Sequence, residues 1–132
     1  MKNILTILAV ILIPIIMYFA ISNKNVQVTE TAFAKDSGIP TVITFTSTMC
    51  MDCQKMKAVI SEVQDDYEGK INFVSINALD KKRSVKDAVN QYKIVLVPSI
   101  VLLDSNNKEV NKIEGFIPKD ELIRNLEGLI NE

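Results

Sequence analysis

The chain has 132 residues, 15 basic and 16 acidic side chains and a net charge of −1: length for one domain plus an appendage, with no charge signature for nucleic acid. It contains no histidine, which removes Cys–His nucleophilic catalysis, histidine metal sites and histidine pH switching together. Its two cysteines are too few for a disulfide-rich scaffold and too close in sequence to close a stabilising loop.

Ile4 to Ile21 holds no charged residue, and a membrane span needs about 17–25 apolar residues. Lys2 and the α-amine precede this run, Tyr18 stands near its far end, and Pro14 is tolerable in a membrane helix. We expect residues 1–22 to form a retained signal-anchor, a transmembrane helix that leaves the domain on the extracytoplasmic side. A cleaved signal peptide ending near Ala20-Ile21-Ser22 and a buried N-terminal helix are the alternatives. Against cleavage, the run is longer than the ~7–15 residues of an ordinary signal core. Lys24 behind the span blunts the charge asymmetry. Residues 23–38 are polar and small and read as a tether, with a possible short strand where Val26 and Val28 alternate with polar neighbours.

The domain is expected over residues 39–132. Gly38-Ile39-Pro40 breaks the chain before a strand at Thr41 to Thr46. A helix from Cys50 to Tyr67 follows, with Met56, Val59, Ile60, Val63 and Tyr67 on one face. Gly69 ends it, and Ile71 to Ile76 reads as the next strand. Ser84 reads as an N-cap, with Asp87 three residues on, and Val85, Ala88, Val89 and Tyr92 form that helix's apolar face. Ser99 to Asp104 is an apolar strand, Asp104 to Lys108 a turn, and Glu109 to Glu114 the returning hairpin strand. Pro118 suits the first turn of a last helix that buries Leu122, Leu126 and Leu129, flanked by Ile123 and Ile130. The order strand-helix-strand-helix-strand-strand-helix predicts an α/β fold: parallel strands from the first crossover, helices on the sheet faces and an antiparallel edge from the hairpin.

The cysteines form one Cys-x-x-Cys, Cys50-Met51-Asp52-Cys53, between the first strand and the first helix. A sulfur at a helix start faces backbone N–H groups and the positive dipole end, which stabilise a thiolate. The spacing lets the second sulfur attack a mixed disulfide on the first. Cys50 is thus the expected nucleophile and Cys53 the resolving thiol. Inert buried sulfurs and a Cu(I) site with methionine thioethers are the competing readings. Met49 stands one residue too close to Cys50 for the usual copper-carrier spacing, and no further Cys or His completes a zinc site. Met49 and Met51 read as docking surface. Asp52, fixed between the sulfurs, should lie about 6–8 Å from Cys50 and raise its pKa relative to an uncharged neighbour, favouring a reductant.

Val42-Ile43-Thr44-Phe45 leading into this motif, together with Val97-Pro98-Ser99 and Gly115 after the hairpin strand, resembles the thioredoxin superfamily over about Pro40 to Ile130. The resemblance implies a thioredoxin-like fold, a central mixed sheet flanked by helices, and thiol–disulfide oxidoreductase activity. It implies that Pro98 is cis and lies beside the dithiol, and that Val97 offers backbone groups to an extended substrate segment. It also implies protein disulfide or thiol substrates and a membrane-embedded thiol electron carrier. The electrons reside in the dithiol, so no cofactor and no metal are expected, and the domain is expected to be monomeric. Five departures stand out: Met49 replaces a tryptophan, Met51-Asp52 replaces Gly-Pro, Thr44 a buried acid, Ser75 its lysine neighbour and Ala58 a helix proline. These suggest a specialised relative, with a non-catalytic adaptor or Cu(I)-handling protein as the alternative.

Overall fold

Thr41–Thr46, rich in β-branched residues, forms β1, and all six of its residues are buried. It lies inside a four-stranded sheet in the computed structural model, which describes residues 3, 4, 8, 10–16 and 38–131. β1 pairs in parallel with β2 (Asn72–Asn77) and antiparallel with β3 (Ser99–Leu103), and β3 pairs antiparallel with β4 (Glu109–Glu114). The strand order is β2-β1-β3-β4, the mixed sheet with an antiparallel edge that the element order predicts.

Three helices cover the sheet: α1 (Met51–Gln64), α2 (Arg83–Gln91) and α3 (Lys119–Ile130). Alternation along β1 splits the core in two. Val42 joins Ile100 and Leu102 under Met56, Ile60 and Val63 of α1 and Leu122, Leu126 and Leu129 of α3. Ile43 and Phe45 join Val74, Ile76, Val101 and Leu103 under Val85, Ala88 and Tyr92, from α2 and its C-cap.

Several boundaries differ from the sequence expectation, each for a local reason. α1 ends at Gln64, and Asp65–Tyr67 tightens into a 3₁₀ turn. Ile71 donates its N–H to the Tyr67 carbonyl, so β2 starts at Asn72, whose N–H reaches the Pro40 carbonyl. α2 begins one residue before Ser84, with Lys82 as its N-cap, because Asp80 Oδ1 accepts from the Lys82 N–H and turns the chain early. Asp87 faces Arg83 at 3.9 Å instead of closing a capping box. Pro118 is the N-cap of α3 rather than a residue inside it, and Ile130 is exposed at the helix end.

Residues 3, 4, 8 and 10–16 are helical. Among the described residues no helix is long and apolar enough to cross a membrane. Part of the expected span, the possible strand at Val26 and Val28, and all of the expected tether except Gly38 lie outside the described residues.

Burial pushes the Tyr92 phenol above its usual pKa, and the Glu109 carboxylate adds to the effect. The folded chain therefore holds this proton more tightly than the unfolded chain. Its contribution to stability is complete below the ordinary value near 10 and is lost as pH climbs through the raised folded value. Urea midpoints measured from pH 9 upward should fall, and Tyr92→Phe should flatten that fall. An identical slope in both proteins would show that Tyr92 does not contribute.

Candidate functional site

β1 delivers the motif. After Thr46 the chain turns, with Ser47 Oγ accepting from the Met49 N–H at 3.3 Å and the Ser47 carbonyl from the Cys50 N–H at 3.4 Å. This turn sets Cys50 as the N-cap of α1 in extended conformation, φ −105° and ψ 118°. In most helices a Ser, Thr, Asp or Asn oxygen takes the orphan N–H at this place. Here the acceptor is sulfur: Cys50 Sγ receives the Cys53 N–H at 3.1 Å. The two cysteines are joined as a disulfide, with Cα atoms 5.1 Å apart.

The sulfurs are not equivalent. Cys50 is half-buried, whereas Cys53 has no exposed surface and packs on the core face of α1 with Met56 and Ile60. Of the two cysteines, only Cys50 offers surface to solvent. The helix N-terminus and the Cys53 N–H stabilise negative charge on that sulfur once the dithiol is reduced.

The opposite wall comes from a distant part of the sequence. The Val97–Pro98 peptide bond is cis, and the Val97 carbonyl oxygen lies 3.7 Å from Cys50 Sγ. Pro98 is buried, and its carbonyl accepts the Gly115 N–H at 2.8 Å. Gly115 has φ +92°, where an L side chain would be strained, so glycine suits the point where β4 turns past the proline loop.

Met49 and Met51 flank Cys50 and are 89 % and 77 % exposed. Asp52 is exposed too, and its carboxylate pairs with Lys55 Nζ at 3.1 Å. That ammonium offsets the repulsion expected of Asp52 at Cys50. Among the described residues no cluster of three or more Cys, Asp or Glu side chains is placed to hold a metal ion.

A cleft of about 510 Å³ opens between α1 and the β2 side of the sheet. Thr44 and Ser75 line it with Gln54 and Lys57, and neither cysteine does. The sequence reading missed the Ser47 turn and the projecting segment before Val97. Ser47 carried a signal, a hydroxyl two residues ahead of the Met49 N–H. Val95 and Leu96 carried none that sets them apart from the apolar run of β3.

A profile of the thioredoxin-like domain matches residues 28–130. The chain belongs to the thioredoxin-like family. The match starts inside the stretch read as a tether. Thioredoxin 1 of Nostoc sp. is 32 % identical over 104 residues, covering 76 % of this chain and 92 % of that protein. The thiol:disulfide interchange protein TxlA homolog of Synechocystis sp. is 28 % identical over 99 residues, 75 % of this chain and 54 % of that protein. The thioredoxin-like protein HCF164, chloroplastic, of Arabidopsis thaliana is 25 % identical over 113 residues, 84 % of this chain and 42 % of that protein.

Family membership and the Cys50–Cys53 pair make this thioredoxin-like chain a thiol–disulfide oxidoreductase. Its departures from the usual pattern have visible places. Thr44 is buried and lines the cleft, Ser75 is exposed on β2, and Ala58 sits in the unbroken α1.

Proposed function

We propose that this domain acts outside the cytoplasmic membrane, held there by residues 4–21, and reduces disulfides of partner proteins. The observation that carries the exchange chemistry is the asymmetric pair: Cys50 at the helix N-cap beside the Val97 carbonyl, and Cys53 sealed behind it.

The reduced Cys50 thiolate attacks one sulfur of the partner disulfide. A Cys50–partner bond forms, the partner S–S bond breaks, and one partner thiolate leaves. Cys53 then gives up its proton and attacks Cys50 Sγ, which closes the Cys50–Cys53 disulfide and expels the second partner thiolate. Two electrons and, in total, two protons pass to the partner. Val97 and Pro98 hold the substrate segment along the proline loop, Met49 covers it, and Asp52 makes a small adjustment to Cys50 that Lys55 limits. A membrane thiol electron carrier restores the dithiol, and the domain works as a monomer.

Support for the membrane location is the uncharged run at residues 4–21. Its described side chains Ile11, Ile13 and Ile16 stand exposed rather than packed in either core, which disfavours a buried N-terminal helix. The relative named a thiol:disulfide interchange protein supports the exchange reading. The Cu(I) alternative has less support, because Cys53 offers no surface to a metal.

Trapping tests the reading. Cys53→Ser, expressed as the full chain in a bacterial host, should accumulate a covalent partner through Cys50, released by dithiothreitol, and protease added to spheroplasts should remove the domain. Trapped partners confined to the cytoplasm, with the domain protected from protease, would overturn the location. Tight Cu(I) binding without any trapped partner would overturn the exchange role.

A further inference from the structure

Pairing across the sheet gathers four loops at one end. Thr46 lies beside Asn77, Phe45 faces Ser99, and Ser99 faces Glu114. The segments after β1, after β2, before β3 and after β4 therefore all meet around Cys50. Met49, Met51, Leu79, Val95, Leu96 and Phe116, all exposed, belong to these segments or to the start of α1. Exposed apolar surface gathered in one place marks an interaction site.

Val95 and Leu96 are the telling pair. They are 79 % and 44 % exposed, yet their backbone is held firmly. α2 ends with the Lys93 N–H on the Asn90 carbonyl and the Ile94 N–H on the Val89 carbonyl, a motif that needs a left-handed residue. Lys93 fills that place at φ +50°, where glycine would be easier. The motif tucks Ile94 and Val89 against the core and turns the next two residues outward. Lys112 Nζ then donates to the Lys93 carbonyl at 3.3 Å, and Ser99 Oγ to the Leu96 carbonyl at 2.7 Å. Hydrogen bonds thus hold the segment on both sides while two aliphatic side chains face water.

The reaction decides what covers them. Val95 and Leu96 immediately precede Val97, whose carbonyl is 3.7 Å from Cys50 Sγ. Two residues of chain reach at most about 7 Å, the span of two residues in an extended substrate strand. An extended peptide segment that presents its disulfide to Cys50 along the Val97 carbonyl therefore brings neighbouring residues within reach of this pair. Beside the exposed Asp52–Lys55 pair, the side chains Met49, Met51, Val95 and Leu96 offer an incoming segment apolar contact. A membrane is a poorer occupant, because Gly38 and Pro40 lead into β1 at the end opposite the dithiol.

We propose that Val95 and Leu96 form an apolar ledge that selects partner disulfides carrying a large apolar side chain two or three residues from the reacting cysteine. This rests on the exchange reading and adds the substrate class. The test uses the reduced full chain in lipid nanodiscs and two peptide disulfides that differ only in leucine or serine at that position. The wild-type chain should favour the leucine peptide about tenfold in kcat/KM, mainly through KM, the factor that partial burial of one such side chain supplies. Val95→Ser with Leu96→Ser should bring the ratio to about one, and Val95→Ile with Leu96→Met should keep it. Equal kcat/KM for both peptides in the wild-type chain, or an unchanged ratio in the serine double variant, would overturn the ledge. Hydroxyethyl disulfide is too small to reach the ledge. Failure of the wild-type chain to reduce even this compound would remove the exchange reading itself, and the ledge with it.

Discussion

Cys50→Ser is expected to lower insulin disulfide reduction by at least about 10³-fold, to the background of the assay. The thiolate is the attacking species, and a serine hydroxyl supplies almost no alkoxide at neutral pH. No other group can replace it, since Cys53 has no exposed surface and the chain has no third cysteine. The loss should come without much destabilisation, because a hydroxyl at an N-cap accepts the Cys53 N–H as well as sulfur does. Stopped-flow reduction and a melting curve on the same protein check both halves. Mixed-disulfide trapping by Cys50→Ser equal to that of Cys53→Ser would overturn the assignment of attacking and resolving sulfurs.

Phe45→Ala is expected to cost about 3–5 kcal/mol of folding free energy. The ring is fully buried between Ile43, Val74, Ile76 and the α2 side chains, and its centroid lies 6.1 Å from that of Tyr92 at 57°. Truncation removes the transfer energy of the ring, leaves a cavity between sheet and helix, and loses a tilted aromatic pair worth about 0.5–1.5 kcal/mol. A domain of this size has about 5–15 kcal/mol in total, so the variant should be marginal at 37 °C. Urea denaturation gives the value, and Phe45→Leu should recover more than half of the loss. A cost below about 1 kcal/mol for Phe45→Ala would mean that α2 collapses onto the vacancy.

Cys50, Cys53 and the helix behind them were readable because strand and helix periods are local: two residues in β1, between three and four along Met56, Ile60 and Val63. The same local spacing placed Leu122, Leu126 and Leu129 on one face and put Gly115 after a hairpin. Asp52 has a second neighbour that bears on its effect at Cys50. Its place beside Cys50 was plain in the motif, and Lys55, three residues on, pairs with its carboxylate at 3.1 Å. The early start of α2 was likewise written nearby, in Asp80.

By itself, then, the sequence determined the element order, the apolar faces, the dithiol and the family resemblance, because each depends on neighbours within a turn or two of chain. Only the tertiary structure decided that Cys53 is sealed while Cys50 is reachable, and that Val97, far along the chain, stands 3.7 Å from the reactive sulfur. It also decided that Val95 and Leu96 face water while Ile100 and Val101, in the same apolar run, are fully buried. Residue type says how much a side chain gains from burial, but which side chains are buried depends on elements that meet only when the chain is folded.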